Sequence, residues 1–256
     1  ALPVADLLHF SKLVPDAGGQ ANPLLGLGRT VPHVFMSHEV KLVAPWRERS
    51  EAVLGRKFAT ELQRKRRKIE RIGEIRLVVA RGGSEADEVF RALQRQHLTR
   101  FKSLSRDDVL EDPVWCELYR ALANGTHARP YATMLALHAG DELLATTFGI
   151  VHDGRYLMLI MSFESKRCDN ASPGLQVLNE GMAWAAGEGL EGFDLTVGDE
   201  PYKRSFRVES RPLHEWMEPL GAHGVAPWLS WKAKVRLRRH PGARDLLKRL
   251  IGRASH

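Results

Sequence analysis

Three strand-like runs joined by two short turns lie in the middle of the chain, and they constrain its fold more than any other feature. The runs are Tyr131–His138, Leu143–Val151 and Arg155–Phe163. The first turn is Ala139-Gly140-Asp141-Glu142 and the second is His152-Asp153-Gly154. Short glycine-containing turns of this kind join antiparallel strands. We therefore predict a three-stranded antiparallel meander.

The segment after the meander predicts a helical crossover into a parallel strand. A polar loop, Glu164–Ser172, is followed by Pro173-Gly174, which opens a helix to about Gly187. Gly189–Gly192 then leads into a short strand, Phe193–Val197. A helix that connects two strands of one sheet places those strands parallel. The predicted fold class is α+β (mixed α/β), with a mixed, mostly antiparallel sheet covered by helices.

Helical patterns precede the meander. The predicted elements are one long helix over residues 47–72 ended by Gly73, a strand over Ile75–Ala80, a helix from Ser84 to about Lys102, and a helix from Asp112-Pro113 to Asn124-Gly125. Ser84 with Asp87 forms a capping-box pattern, and Asp112-Pro113 is an N-cap and first-turn pair. Residues 1–46 contain many glycines and prolines, which predict a loop-rich segment.

The net charge of +7 is concentrated at the C-terminus. The segment from Ala222 to His256 contains nine Lys and Arg residues and one acid, Asp245. Its formal charge is therefore +8, and the rest of the chain is close to neutral. This distribution indicates that the tail docks the protein, while the high pI says little about the partner of the core. Two cysteines exclude a disulfide framework and a four-cysteine zinc site, and they fit a reducing, cytoplasmic compartment. No metal site and no membrane span are predicted.

The first candidate site is the loop-to-helix junction that ends in Ser172-Pro173-Gly174-Leu175. A helix N-terminus offers free backbone N–H groups and a partial positive charge, which suit a phosphate or a pyrophosphate. Ser172 would be the N-cap, and Gly174 would let a ligand approach the backbone. The alternative is a well-formed helix start without a ligand, and local sequence alone favours it.

The second candidate site is the polar segment from Asp194 to Lys203. Tyr202 could donate a proton, and a carboxylate such as Asp194 could accept one if burial tunes its pKa. The alternative is a surface turn in which Lys203 pairs with Asp199 or Glu200. On the residues alone, a reactive site and a surface turn are equally favoured.

The order of these elements resembles the core of the GNAT acyltransferases. Four segments resemble the CelD/BcsL branch, which is linked to cellulose and exopolysaccharide production and is related to the FemAB-type aminoacyl transferases. They are Arg64-Lys65-Arg66-Arg67-Lys68-Ile69, Glu142-Leu143-Leu144-Ala145-Thr146, Ser172-Pro173-Gly174, and Phe193-Asp194 through Gly198-Asp199-Glu200-Pro201-Tyr202-Lys203. The resemblance covers about residues 50–215. Of the glycines in the usual GNAT phosphate loop, only Gly174 is present.

The resemblance implies an N-acyltransferase that moves an acyl group, acetyl from acetyl-CoA, to an amine or a sugar hydroxyl. It implies roles for seven residues: backbone donors to the phosphates at Ser172, Gly174 and Leu175, an anion contact at Lys203, a base at Asp194 or alternatively Glu164, and a proton donor to the leaving thiolate at Tyr202. An acceptor among polysaccharide precursors follows from the same resemblance.

Two rival functions remain open. One is a FemAB-like transferase that uses aminoacyl-tRNA as its donor. The other is a catalytically inactive GNAT-fold binding protein that docks to an anionic membrane surface through residues 228–253, where tryptophans, leucines and cations form an amphipathic pattern. The alternative for that segment is a helix packed on the body through its Leu and Trp residues.

The expected domains follow from the resemblance and the charge. Residues 1–46 would be the remnant of a preceding GNAT-like half-domain, residues 47–217 the acyltransferase domain, and residues 218–256 the basic tail. The missing initial Met agrees with a fragment of a longer protein.

Overall fold

The structure is a computed structural model that describes residues 5–17, 19–103, 108–125, 131–164 and 170–238. Its strands are β1 (Leu7–Leu13), β2 (Asp16–Ala17), β3 (Gln20–Ala21), β4 (Val31–Lys41), β5 (Ile75–Ala80), β6 (Ala132–Ala139), β7 (Glu142–His152), β8 (Arg155–Phe163), β9 (Gly192–Val197) and β10 (Glu209–Pro219). Its α-helices are α1 (Trp46–Leu54), α2 (Arg56–Glu70), α3 (Gly83–Ser103), α4 (Pro113–Asn124), α5 (Pro173–Gly187), α6 (Pro201–Ser205) and α7 (Ala222–Leu237). Short 3₁₀ helices cover Pro23–Gly26 and Val109–Glu111.

The described chain divides into two compact units. Unit 1 contains residues 5–37, 197–199 and 210–238, and unit 2 contains residues 38–196 and 200–209. In unit 2 the end of β4 is followed across the sheet by β9, β8, β7, β6 and β5. Strands β5 to β8 pair antiparallel, and β9 runs parallel to β8. The predicted fold class and the predicted meander are confirmed.

Helices cover both faces of the sheet in unit 2. One hydrophobic cluster includes Leu62 and Ile69 of α2, Leu178 and Met182 of α5, and Phe193 of β9. A second cluster joins α3 and α4 to the opposite face of the same strands. The alternation of side chains along each strand produces these two cores, because successive residues point to opposite faces.

Strands β8 and β9 separate soon after they pair. Arg155, Tyr156 and Leu157 of β8 face Gly192, Phe193 and Asp194 of β9, and the pairing stops there. The remainder of β8, from Met158 to Phe163, therefore extends away from β9 toward the N-terminus of α5. The separation leaves a wedge at the carboxyl ends of the two strands, and both candidate sites flank it.

The predicted long helix over 47–72 is wrong, because Gly55 divides it into α1 and α2. Gly55 has a φ of +81°, which interrupts the helix. The guanidinium of Arg207 occupies the space where a Gly55 side chain would begin. Gly73 lies beyond the end of α2 at Glu70, and a Cβ on Gly73 would lie 2.5 Å from the backbone nitrogen of Gly140. Gly73 therefore permits a close approach of two backbones.

Of the caps predicted for the next two helices, one is wrong and one is confirmed. Helix α3 begins at Gly83, so Ser84 is inside the helix and the predicted capping box is wrong. The Asp87 carboxylate instead accepts hydrogen bonds from Arg120 Nε at 2.8 Å and Asn124 Nδ2 at 3.1 Å, both on α4. The predicted cap of α4 is confirmed, because Asp112 accepts from the Val114 N–H at 2.8 Å.

Unit 1 contains strands that the sequence pattern did not predict. The segment 1–46 was expected to be loop-rich, yet it contributes β1 and the long strand β4. Strand β1 pairs antiparallel with β10, from Leu7 opposite Pro219 to Leu13 opposite His214. Helix α7 follows β10, and Trp231 on its inner face is 9% exposed. Residues 239–256, which carry most of the predicted membrane-docking segment, lie outside the described residues.

Candidate active site

The start of α5 is held by a lysine of α2. Ser172 has the left-handed values φ 50° and ψ 64°, and its side chain does not cap the helix. Its hydroxyl instead accepts a hydrogen bond from Lys65 Nζ at 2.7 Å. Ser172 is therefore the N-cap residue, as predicted, but its hydroxyl is used by the charged donor of α2 and not by a backbone N–H of α5. Lys65 Nζ also lies 3.2 Å from Glu61 Oε1.

A second lysine reaches the same helix start. Lys68 Nζ donates to the backbone oxygen of Asn170 at 3.3 Å. Lys65 and Lys68 are three residues apart, so they lie on one face of α2. Together they bring two ammonium groups to the positive end of the α5 dipole. The concentration of positive charge suits an anion.

The backbone N–H groups at this helix start differ in availability. The Leu175 N–H donates to the Ser172 carbonyl at 3.0 Å, so it is already engaged, and its role as a phosphate donor stays a prediction. Within the described residues, no backbone carbonyl accepts the Gly174 N–H. Gly174 thus remains the better candidate for a backbone contact to a phosphate.

Gly174 has a packing role that the sequence did not indicate. A Cβ on Gly174 would lie 2.9 Å from Cδ1 of Phe163, at the end of β8. The guanidinium of Arg100 lies 4.5 Å from the centroid of the same Phe163 ring, as in a cation–π contact. Arg100 of α3 therefore reaches the wedge beside the α5 start, although no sequence motif points to it.

Asp194 stabilises the end of β9. Its Oδ1 accepts the backbone N–H of Thr196 at 2.6 Å. Thr196 has a φ of 60°, which is unfavourable for a β-branched residue. The carboxylate therefore supports a strained turn, and its predicted role as a base remains a prediction.

Lys203 is buried, with 2% of its surface exposed. Its Nζ lies 2.9 Å from Glu200 Oε2 and donates to the Thr196 carbonyl at 3.3 Å. The predicted pairing of Lys203 with Glu200 is thus present. The surrounding segment is the short helix α6 rather than a surface turn. A ligand anion would have to compete with Glu200.

Tyr202 is mostly buried beside these charges. Burial raises the pKa of Tyr202, the Glu200 carboxylate raises it further, and Arg100 lowers it. The phenol therefore stays protonated at neutral pH and can donate a hydrogen bond. A raised pKa makes it a weaker proton donor than an acid tuned near neutrality.

Glu164 comes directly after β8. Its N–H donates to the Leu144 carbonyl at 2.8 Å, which fixes the backbone at the mouth of the wedge. The structure thus brings Tyr202, Lys203 and Glu200 together, and it links Ser172 to Lys65. Sequence reasoning missed Lys65 and Lys68 as site residues, although the run from Arg64 to Lys68 contained the signal.

Neither a metal-binding cluster nor a membrane-spanning helix is found among the described residues. No group of three or more His, Cys, Asp or Glu side chains among them is arranged to hold a metal ion. His97 instead lies 2.8 Å from Asp108 through its Nδ1 and stacks on Phe101. No helix within the described ranges has the length and apolarity needed to cross a membrane.

Solved structures share this fold. The chain is similar to the C-terminal domain (DUF2156) of a protein from Agrobacterium fabrum named as a lysylphosphatidylglycerol synthetase, with 13% identity, a TM-score of 0.57, and coverage of 87% of this chain and 70% of that one. It is also similar to a conserved protein of unknown function from Bacteroides thetaiotaomicron, with 14% identity, a TM-score of 0.51, and coverage of 74% of this chain and 61% of that one. At these identities the likeness shows the fold alone. No curated protein matches the chain.

A family model extends the likeness to the sequence. The model described as "Acetyltransferase (GNAT) domain" matches residues 56–204, from the start of α2 to within α6. This match covers more than half of the chain and includes both candidate sites. It does not single out the CelD/BcsL branch, which stays a prediction. The wedge, the helix start beside it and the family match together show that the chain belongs to the acetyltransferase (GNAT) domain family.

Proposed function

We propose that the protein is an acyltransferase that moves an acyl group from an acyl-CoA donor, acetyl-CoA in the simplest case, to an amine or a sugar hydroxyl. GNAT domains generally use acyl-CoA. The observation that carries the proposal is the pair of ammonium groups, from Lys65 and Lys68, at the α5 start. A pyrophosphate is the anion that such a donor would place at a helix N-terminus.

The residues at the α5 start fit a phosphate-bearing donor by the chemistry of their donor groups. Lys65, Lys68 and the Gly174 N–H would hold the phosphates, whereas the Leu175 N–H is already engaged within the helix. Bound acyl-CoA would supply a thioester carbonyl that an acceptor nucleophile can attack. The protein must then take a proton from that nucleophile.

Glu164 is our preferred base for this proton. Asp194 already accepts the Thr196 N–H and supports the end of β9, so its protonation would weaken that turn. Tyr202 is kept neutral by burial, and we assign it the role of a hydrogen-bond donor at the wedge. An acceptor from polysaccharide biosynthesis remains part of the proposal.

Calorimetric titration with acetyl-CoA tests the donor. Lys65→Ala and Lys68→Ala should each weaken binding by about tenfold, because each removes a charge-assisted contact. Lys57→Ala is the matched control, since Lys57 is an exposed lysine on the same helix. Absence of heat at millimolar acetyl-CoA, or an equal loss in the control, would contradict the proposal.

The second candidate is a transferase that uses aminoacyl-tRNA. The exposed cations of α2 favour it, in particular Arg56, Lys57, Arg64 and Arg67. A polyanion bound along this helix would lose affinity steeply with salt, because each neutralised phosphate releases counterions. Filter binding of aminoacyl-tRNA between 50 and 200 mM salt, compared with acetyl-CoA under the same conditions, distinguishes the two donors.

A further inference from the structure

Unit 1 contains a large apolar groove that the proposed reaction does not use. It lies between α7 and β10, beside the segment that starts at Leu27. Trp216 of β10 and Trp228 and Trp231 of α7 line it, and its cavity volume is about 1360 Å³. Trp216 and Trp231 are only 4% and 9% exposed, so their rings are fixed walls of the groove.

Gly28 keeps one wall of the groove open. A Cβ on Gly28 would lie 3.2 Å from Cε3 of Trp216, in tight contact with the indole. The φ of Gly28 is outside the left-handed region, so its backbone does not require glycine. The indole of Trp216 is also held by Phe10, whose ring stacks on it with 5.1 Å between the ring centroids. The absent side chain of Gly28 thus gives space for a ligand beside Trp216.

The rim of the groove is positively charged. Arg29, Lys232 and Arg236 line it and are exposed, against one acid, Glu218. Lys232 Nζ lies 3.9 Å from the centroid of the Trp228 ring, which holds the ammonium at the boundary between the apolar wall and solvent. An apolar interior with a cationic rim is complementary to a molecule that has an alkyl chain and an anionic end.

We propose that this groove binds one long-chain carboxylate of the fatty-acid class. The alkyl chain would lie along the tryptophans, and the carboxylate would lie at Arg29, Lys232 and Arg236. Apart from the charged residues Arg29, Glu218, Lys232 and Arg236, the described lining has no polar side chain other than the tryptophans. The Nε1 atoms of Trp216 and Trp231 are buried, so an alkyl chain fits this lining better than a sugar, which needs several neutral hydrogen-bonding groups. This inference goes beyond the proposed acyl transfer and does not depend on it, because the Lys65 and Lys68 contacts belong to unit 2.

Titration of the full chain with sodium octanoate, decanoate and dodecanoate, below their critical micelle concentrations, tests the proposal. Intrinsic tryptophan fluorescence and calorimetry report the binding. Each added methylene should lower Kd by about fourfold, because each buries more apolar surface. Dodecanol should bind more weakly than dodecanoate, because it lacks the charge. Equal Kd values for octanoate and dodecanoate would overturn the proposal.

Variants locate the ligand. Gly28→Leu should weaken dodecanoate binding at least tenfold by filling the space beside Trp216. Gly26→Leu is the matched control, since a Cβ at Gly26 meets no atom within 4 Å and Gly26 does not line the groove. Wild-type affinity in Gly28→Leu, with a native circular dichroism spectrum, would overturn the proposal.

If Gly28→Leu does not fold, a double variant of the charged rim tests the proposal instead. Lys232→Glu combined with Arg236→Glu should weaken dodecanoate binding at least tenfold and leave dodecanol binding unchanged. Equal losses of affinity for dodecanoate and dodecanol would overturn the proposal that the rim binds the carboxylate. Binding of cello-oligosaccharides instead of dodecanoate, or binding to anionic vesicles without any binding of monomeric dodecanoate, would overturn the ligand class.

Discussion

At Ser172, the hydroxyl that a helix start would ordinarily use as its own cap accepts a hydrogen bond from Lys65. Asp87 is similar, because its carboxylate bonds to Arg120 and Asn124 of α4 in addition to pairing with Arg91 one turn along its own helix. In both cases a cation from another helix is the stronger partner for the side-chain oxygen. Local capping patterns are therefore reliable only where no such cation is close, as at Asp112.

Gly73 gives a prediction about stability. Gly73→Ala should lower the free energy of unfolding by about 1–3 kcal/mol, because the new methyl group would collide with the Gly140 backbone. Gly187→Ala is the control, since a Cβ there meets no atom within 4 Å, and it should change stability by less than about 0.5 kcal/mol. Urea unfolding measures both. Equal effects would show that the approach of Gly73 to Gly140 is not tight.

Tyr202 gives a prediction about pH. Its folded-state pKa is raised by burial and by Glu200, so above pH of about 10 the unfolded chain releases a proton that the native state retains. The contribution of Tyr202 to stability is therefore complete below that pH and is lost as pH rises, by up to about 1.4 kcal/mol per pH unit. Tyr202→Phe should flatten this loss in urea unfolding between pH 8 and 11.

The control for this experiment is Tyr131→Phe, because Tyr131 is 58% exposed. It should retain the pH dependence of the wild type. A Tyr202→Phe variant with the same pH dependence as the wild type would contradict the burial of the phenol.

At the scale of elements, one carboxylate fixes α5 against two other helices. Glu180 of α5 is 4% exposed and pairs with Arg47 of α1 and with Arg66 of α2. Trp46 of α1 adds a hydrogen bond from its indole Nε1 to Asn179 at 3.0 Å. These contacts hold α2 beside α5, and α2 then delivers Lys65 and Lys68 to the α5 start.

Removal of this carboxylate should therefore affect both stability and binding. Glu180→Ala should lower the free energy of unfolding by about 1–3 kcal/mol, because two guanidinium groups lose a buried partner. It should also weaken acetyl-CoA binding. Glu188→Ala is the control, since the Glu188–Arg81 pair is half exposed on both sides, and it should cost less than about 1 kcal/mol. Equal costs would contradict the role of Glu180 as the anchor.

At the scale of the whole molecule, the distribution of charge suggests where the protein docks. The membrane-docking proposal rests on the basic segment from 228 to 253. Trp228 and Trp231 line the unit 1 groove and Trp231 is buried, so for α7 the structure favours packing over insertion of the tryptophans. The proposal then depends on the cations that follow α7, which the sequence supplies.

Vesicle co-sedimentation of the full chain tests this docking. Lys248→Glu with Arg249→Glu should weaken binding to anionic vesicles at least tenfold, since each cation near the surface contributes about 1 kcal/mol. Arg49→Glu with Lys57→Glu changes the net charge equally on exposed positions of α1 and α2 and should have a smaller effect. Equal losses in the two variants would show that net charge, and not the tail, drives the binding.

The meander, the crossover helix α5 and the parallel strand β9 could be predicted because each depends on contacts within a few residues. Short glycine turns specify hairpins, and a helix between strands of one sheet specifies a parallel partner. The break at Gly55 could not be predicted, because the Arg207 guanidinium that accompanies it lies far along the chain. Strand β10 was missed for a related reason, since β1, its antiparallel partner, lies near the other end of the chain.

The sequence by itself determined the order of elements, the fold class and the family segments around Ser172 and Tyr202, because residue types and spacings set local backbone preferences. The tertiary structure alone decided which charges meet. It turned Lys65 and Lys68 toward the α5 start, paired Lys203 with Glu200 and brought Arg100 over Phe163. Electrostatic and hydrogen-bonding energies depend on distances between atoms, and packing between helices sets those distances.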